Sequence, residues 1–463
     1  MDKVVASPEQ AVADIPDGAT VAIAGFSVGH RFATSLILAL RDQGTRNLCL
    51  VCNSMGEPGE VRGQILAENR QVRKLIAAFS TRPGVQTATD QQIAAGEMAV
   101  ELVPQGTLVE RCRAGGAGIP AFYTPTGVGT AIAEGKEIRD FGGKPYVLEH
   151  AIRVDYALLR AHRADRAGNL QFRGGSQNFN PSFAKAARVA IVEVDEIVEV
   201  GGIPPELVGL PGIFVSRVVK RTRPVDVKSL RIARRRAADT ARLYHGKPAL
   251  TRAAIAARAA RLIKDGSYVN LGTGLPTLVS NYLKTRDVTL HAENGILGYG
   301  EMVSGDDIDL DMYNAGGQFV SLRPGASFFD SVTSFEMARG GRINTVILGA
   351  YEVDQHANLA NWSTSDAARG GIGGAMDLVS GNAELIIVME HCDSRNRPKL
   401  RRECTYPLTG KGCVNCVVTD LALLHWRDGR FVLEEVAPGF TPREVLELAE
   451  MEIAAGPNVR TMD

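Results

Sequence analysis

Glu293 stands between an apolar run and a glycine-rich turn in Val288-Thr-Leu-His-Ala-Glu-Asn-Gly-Ile-Leu-Gly-Tyr-Gly300. A carboxylate so placed can serve as a general base or as a nucleophile, provided that other segments bring backbone donors and an electrophile to it. Four glycine-rich segments could supply those donors: GGAGIP (115–120), LGTGLP (271–276), RPGASFF (323–329) and GIGGAMD (371–377). Each is read as a strand-to-helix corner, where unpaired N–H groups can face a carbonyl or phosphate oxygen. Taken singly, a glutamate at a strand end is usually a solvated carboxylate and a glycine usually a turn residue. The chemistry therefore depends on whether these segments converge.

Other chemistries fit less well. No segment matches GxxxxGK[ST], and LGTGLP lacks the third glycine of a dinucleotide fingerprint, which weighs against nucleotide hydrolysis and hydride transfer. There is no GxSxG elbow, and the 8 histidines include no i, i+4 pair, so neither a serine nucleophile nor a metal site is indicated. Two CxxC pairs, Cys49 with Cys52 and Cys413 with Cys416, lie in the strand-like runs NLCLVCN and CVNCVV. Residues three apart on a strand point to opposite faces, so these are read as small buried hydrophobes rather than chelating pairs.

The elements that must position Glu293 alternate strand-length apolar runs with helical patterns, as in ATVAIAGF, RFATSLILALRDQG and LCLVCN. That is the βαβ signature of an open, mostly parallel α/β sheet, whose ligand sites lie beyond the carboxyl ends of the strands. The chain also reads as two related halves. YALLRAHRADRAGNL (156–170) resembles TVILGAYEVDQHANL (345–359), and VAIAGF in the first half has a counterpart in YVNLGTGLP. A basic stretch at 217–236 separates them and is read as a linker. The expected division is an N-terminal domain over 1–225, a basic linker over 226–248 and a C-terminal domain over 249–463, the last carrying Glu293.

At 463 residues two domains of ordinary size are expected. The 52 basic and 52 acidic side chains cancel, so no global field draws the chain to nucleic acid or an anionic membrane. Partners are expected to be small molecules and other subunits. Seven cysteines spread along the chain argue for a reducing compartment, and with neither a leader-like start nor a run of membrane-span length the expected location is cytoplasmic.

The segments QGTLVERCRAGGAGIPAFYTPTGVGT, SQNFNP, NLGTGLPTLVSNYL, ENGILGYG, NAGGQFVSLRPGASFFDSVTSFEMARGG, ANW, GGAMDLVSG and CTYPLTGKGCVNCVVTDLALL occur in this order over nearly the whole chain. Together they resemble the class I coenzyme A transferases, most closely the succinyl-CoA:3-ketoacid group with its two subunits fused. The resemblance implies that Glu293 is the nucleophile, forming an acyl-glutamyl anhydride and then a glutamyl-CoA thioester in a ping-pong route. It implies coenzyme A as a covalently carried substrate, no permanent cofactor, acyl-CoA and short carboxylic acids as partners, and a homodimer. Asn53 falls where the family offers a side-chain amide to the reacting carbonyl. Gly373, Gly374 and Ala375 match backbone contacts to the oxyanion and thioester, while Gly272, Gly274, Gly116 and Gly118 match glycines lining the cleft.

The chain departs from the family at Gly25-Phe26-Ser27-Val28-Gly29-His30-Arg31-Phe32, where a Gly-x-Pro turn is usual, and Arg31 is read as a partner for the remote carboxylate of a dicarboxylate such as succinate. Two alternatives remain open: an acyl-CoA hydrolase on the same scaffold, and a non-catalytic acyl-CoA sensor.

Overall fold

The β-branched and leucine-rich runs collect into two large sheets in the computed structural model, which describes residues 2–27, 32–80, 86–223, 239–364 and 370–462. In the first sheet the order is Arg217–Lys220, Ala187–Val198, Val154–Asp165, Thr20–Ile23, Leu48–Ser54, Val72–Phe79 and Ala99–Leu102, all parallel. Leu170–Gln171 adds an antiparallel strand against Val154–Asp165. The second sheet has ten strands. Its centre, Val288–Ala292, Ser267–Leu271, Thr345–Leu348, Glu384–Val388 and Cys416–Val418, is parallel. Antiparallel strands extend both sides: Ile296–Met302 and Val320–Phe328 beyond Val288–Ala292, and Ala422–Arg427 then Arg430–Val436 beyond Cys416–Val418.

Strand alternation accounts for the cysteines. Cys52 packs with Leu48 and Leu50 while Cys49 packs on the opposite face with Val51, and Cys416 and Cys413 likewise face different clusters. Burial pushes the Cys52 thiol up to about 12, as expected of an inert core residue.

The internal repeat is built in atomic detail. Asp165 accepts from the Asn169 backbone N–H at 2.9 Å and from Asn169 Nδ2 at 2.7 Å; Asp354 accepts from the Asn358 N–H at 3.1 Å and from Asn358 Nδ2 at 3.0 Å. Each asparagine then accepts from a distant glycine, Gly212 N–H to Asn169 and Gly412 N–H to Asn358, both at 2.8 Å. Sheet register extends the equivalence. Val21 pairs with Tyr156 and Leu50, and Val269 pairs with Thr345 and Leu290. Because Tyr156 matches Thr345 in the repeat, Leu50 matches Leu290, and three residues further on Asn53 matches Glu293. By the same count Ala22 matches Asn270 and Val51 matches His291.

The halves clasp each other reciprocally. The helix Gln105–Gly116 of the first half starts with Gln105 N–H donating to Gly373 O at 2.9 Å in the second; the helix Ser331–Arg339 of the second starts with Ser331 N–H donating to Asn178 O at 3.0 Å in the first. Asp330 caps the latter helix by accepting from Thr333 N–H at 2.9 Å, a contact of the kind that contributes about 1 kcal/mol. Leu108, Cys112, Phe179 and Phe183 of the first half share one core cluster with Tyr313, Val332 and Phe335 of the second.

Two of the four glycine segments are not strand-to-helix corners. GGAGIP ends the helix Gln105–Gly116, where a Cβ on Gly116 would lie 2.6 Å from Lys185 Cβ, so glycine is required for the approach of the helix Asn180–Ala186. RPGASFF lies largely within the strand Val320–Phe328. Most of the basic linker, residues 226–238, lies outside the described residues; its remainder holds the short hairpin of Leu243–Tyr244 and Lys247–Pro248.

Candidate active site

The strand Val288–Ala292 delivers Glu293 at its carboxyl end, and the chain turns back at once into Ile296–Met302. Gly295 makes the turn possible. Its φ is +109°, and a Cβ there would sit 2.1 Å from Phe329 O, the carbonyl of the residue whose N–H donates back to Gly295 O at 3.1 Å. Glu293 is 8% exposed. Among the described residues no cation pairs with it; its side-chain partner is Asn270, whose Nδ2 donates to Oε2 at 3.3 Å. Burial holds the Glu293 carboxyl above its usual range, while its own backbone N–H and Asn270 pull the other way.

Asn270 lies on the neighbouring strand, in register with His291. Its Nδ2 is also 3.0 Å from His291 Nδ1, and His291 Nε2 is 2.9 Å from Ser334 Oγ on the helix Ser331–Arg339. Complete burial lowers the His291 pKa to about 4, so the ring is neutral at physiological pH. The Phe329 ring lies parallel to it, 6.2 Å between centroids. Tyr299, also buried, is pushed up by desolvation and by the Glu293 charge, which places it near the carboxylate.

A second cluster forms where the halves meet. Asn53, 3% exposed at the end of Leu48–Ser54, accepts from Gln105 Nε2 at 2.8 Å. This leaves the Asn53 amide nitrogen available as a donor. The GIGGAMD segment lodges against the same helix start. A Cβ on Gly374 would meet Gln105 Oε1 at 3.0 Å and the Phe335 ring at 3.0 Å. Asp377 accepts from Gly106 N–H at 2.8 Å and from Thr126 Oγ1 at 3.1 Å, with Arg339 Nη1 at 3.4 Å. Consecutive residues join the two clusters: Ser334 holds His291, and Phe335 touches Gly374.

The remaining expected site residues divide. Gly373 differs from the expected oxyanion donor, because its N–H is taken by Ala78 O at 3.3 Å; its φ of +58° and contact with the Phe79 ring fit it to the bend. The N–H groups of Gly374 and Ala375, at the start of the helix Ala375–Val379, have no partner within that helix. Gly272 donates to Ile347 O at 2.8 Å and packs on Leu348, extending the sheet beside Asn270. Gly274, with φ +83°, borders open space at the same strand end. Gly116 and Gly118 are not brought to this cleft: they lie at the far end of the helix begun by Gln105, roughly 16 Å along its axis. Arg31 lies outside the described residues.

Sequence reasoning missed Asn270, His291, Ser334 and Gln105. The available signal was a polar residue inside an apolar strand run, as in YVNLG and VTLHA. A cavity of about 560 Å³ opens further along the same sheet edge, lined in part by Tyr351, Glu352, Glu390, Lys399 and Asp420. Glu293 does not line it. Its acids are occupied: Glu352 by the N–H and hydroxyl of Thr405, Asp420 by His391 N–H and the Tyr244 hydroxyl, and Glu390 by Arg252.

Two related open-sheet halves closed over a buried carboxylate, with side-chain amides on either side of the seam, have the layout of an acyl-group-transferring enzyme. The chain belongs to the coenzyme A transferase family, whose model, described as Coenzyme A transferase, matches residues 5–221 and 252–448. It is 42% identical to succinyl-CoA:3-ketoacid coenzyme A transferase 2, mitochondrial, of Homo sapiens, over 99% of this chain and 91% of that one. The first half is 50% identical to one of the separate subunits of the succinyl-CoA:3-ketoacid coenzyme A transferase of Xanthomonas campestris, over 45% of this chain and 85% of that one. The crystal structure of the acyl-CoA transferase YdiF from Escherichia coli O157:H7 shares the fold, with a TM-score of 0.79 at 21% identity, covering 100% of this chain and 95% of that one.

The chain is therefore an enzyme, a CoA transferase, with acyl-CoA as substrate. The expected cytoplasmic location is corrected by the same comparison, since the full-length relatives from Homo sapiens and Mus musculus are named as mitochondrial. Charge balance and unpaired cysteines are compatible with any reducing compartment, so composition could not choose among them. Among the described residues no helix is long and apolar enough to cross a membrane.

Proposed function

We propose that the chain moves coenzyme A from succinyl-CoA, or a similar acyl-CoA, to a 3-oxo acid by a ping-pong route with Glu293 as the covalent carrier. The observation that carries this reading is a carboxylate 8% exposed, without a cationic partner among the described residues, and faced by an amide donor. Burial without a counter-charge destabilises the carboxylate and so favours its attack on carbon, while excluding the water that would hydrolyse an activated acyl group. That exclusion favours transfer over the hydrolase alternative.

The steps balance without redox change or net proton transfer. A Glu293 oxygen adds to the thioester carbonyl and the C–S bond breaks, giving a mixed anhydride and CoA thiolate. The thiolate adds to the glutamyl carbonyl, the C–O bond to the donor acyl group breaks, and the donor leaves as a carboxylate. The acceptor carboxylate then attacks the glutamyl-CoA thioester and the sequence runs in reverse, regenerating Glu293. Each addition develops an oxyanion. Asn270 Nδ2 supports the glutamyl side, and the Asn53 amide, oriented by Gln105, and the N–H groups of Gly374 and Ala375 face the cleft as further donors. Gly373 shapes the bend, and Gly272 and Gly274 keep the strand end narrow.

The assignment of 1–225 and 249–463 as two domains joined by 226–248 is supported by the repeated Asp-Asn turns and the paired sheets. A homodimer is supported by the apolar residues on the small sheet of Ala121–Thr124, Ile138–Phe141 and Lys144–His150, where Ile138 is 53% and Phe141 47% exposed. The test is mass spectrometry of the protein mixed with succinyl-CoA and no acceptor. A CoA adduct on Glu293, absent in Glu293→Ala, is expected. Absence of the adduct across a panel of acyl-CoAs would overturn the reading, and free CoA accumulating without acceptor would favour hydrolysis.

A further inference from the structure

We propose that His291 is a positioning residue of the transfer reaction: its unprotonated Nδ1 holds the side-chain NH₂ of Asn270 toward Glu293, and Ser334 fixes the ring through its other nitrogen. The proposal rests on the reading of Glu293 as the nucleophile.

Asn270 Nδ2 carries two hydrogens and has two side-chain acceptors, His291 Nδ1 at 3.0 Å and Glu293 Oε2 at 3.3 Å. Its Oδ1 is buried and has no partner. Nothing therefore holds the amide from its oxygen end, and its orientation is decided at the nitrogen. Rotating the amide by half a turn would put Oδ1 against the Glu293 carboxylate, acceptor against acceptor. The ring that prevents this must offer a lone pair at Nδ1, which leaves the proton on Nε2, donating to Ser334 Oγ at 2.9 Å. Complete burial of His291 and Ser334, with Phe329 parallel to the ring, leaves the imidazole little freedom to exchange these roles.

Chemistry makes the orientation consequential. Glu293 passes through carboxylate, anhydride and thioester, and in every one of these its remaining oxygen is an acceptor. An amide pinned with its donor forward serves all of them; a freely rotating one serves each only part of the time. The first half supplies an internal control. At the positions matching Asn270 and His291 it has the apolar Ala22 and Val51, and there the strand ends in an amide rather than a carboxylate. The polar pair accompanies the nucleophile alone.

The experiment compares kcat and KM for His291→Leu, His291→Gln, Ser334→Ala, Asn270→Ala and the double variant Asn270→Ala/His291→Leu with those of the unaltered enzyme. His291→Leu is expected to lower kcat roughly 10- to 100-fold with KM for both substrates changed less than about twofold, because the lost contact acts through the reacting group. His291→Gln, which offers an acceptor and a donor, is expected to recover kcat to within about threefold. The double variant should be no slower than the slower single variant. A folded His291→Leu enzyme with kcat within about twofold of normal, or losses that multiply in the double variant, would overturn the proposal.

If circular dichroism shows His291→Leu to be unfolded, Ser334→Ala decides: about a threefold or greater loss of kcat at unchanged KM supports the role, and an unchanged kcat overturns it. The CoA adduct separates the two failures. Without an adduct on Glu293 in the unaltered enzyme the nucleophile assignment falls; with the adduct present and His291 variants unaffected, only the positioning role falls.

Discussion

Asn53 and Glu293 occupy the same place in the two halves, three residues beyond a matched strand pairing, and end in different chemistry. The Asn53 amide can satisfy itself from one side: Gln105 Nε2 serves its oxygen at 2.8 Å and its nitrogen stays free. Glu293 cannot be handled so simply, because a buried carboxylate without donors would protonate. Its half therefore has polar residues on two adjacent strands, Asn270 and His291, where the other half is apolar. The repeated frame, by contrast, is almost unchanged, down to the glycines that donate to Asn169 and Asn358 at 2.8 Å. The comparison teaches that the duplicated scaffold tolerates divergence at the strand ends, provided that each group placed there brings its own donors.

The largest expected effect erases the difference. Glu293→Gln turns the second strand end into an amide like the first, and kcat is expected to fall at least about 10³-fold in the steady-state transfer assay. The same variant should melt at a higher temperature at neutral pH. The Glu293 carboxyl is held above its usual range, so the native state favours the protonated form, and its ionisation withdraws stability as pH rises through that raised value. The difference in melting temperature should therefore vanish as pH falls below the usual carboxylate range. A Glu293→Gln protein less stable than the original at pH 7 would show that the carboxylate is supported rather than strained.

Gln105→Leu tests the other side of the comparison by removing the donor to Asn53. The freed asparagine oxygen loses its partner and the amide its fixed orientation, and kcat is expected to drop about 10- to 100-fold while thermal stability changes little. Smaller effects should come from the repeated turn. Asp165→Ala removes the acceptor of two bonds from Asn169, whereas Asp354→Ala removes those from Asn358 and two more, from the N–H groups of His356 at 2.9 Å and Cys404 at 3.2 Å. Denaturant unfolding is expected to show a cost of about 1–3 kcal/mol for the former and more for the latter. Equal costs would mean that the extra bonds at Asp354 contribute nothing.

Glu293 was legible in the sequence because its setting is local, an apolar run broken by a glycine that the turn requires. The duplication was legible for the same reason, since a fifteen-residue window contains strand, Asp and Asn together. Asn270, His291, Ser334 and Gln105 come from separate segments, and their meaning lies in which neighbour each one meets across the sheet or the seam. No spacing records that. Glycine patterns misled where close approach rather than a turn was the cause: Gly116 makes room for Lys185, and Gly325 sits inside a strand. Gly373 was placed in the right segment, but its N–H is consumed by Ala78, which only the fold reveals.

The reciprocal clasp, Gln105 onto Gly373 and Ser331 onto Asn178, has a consequence for assembly. Recognition between the halves is written into their own surfaces, so the connecting segment acts as a tether that raises local concentration rather than as a source of specificity. Severing the tether would turn a first-order docking step into a second-order one and leave the seam itself unaltered. Activity of the two pieces would then depend on dilution, with a dissociation constant that measures what the clasp and its shared core are worth.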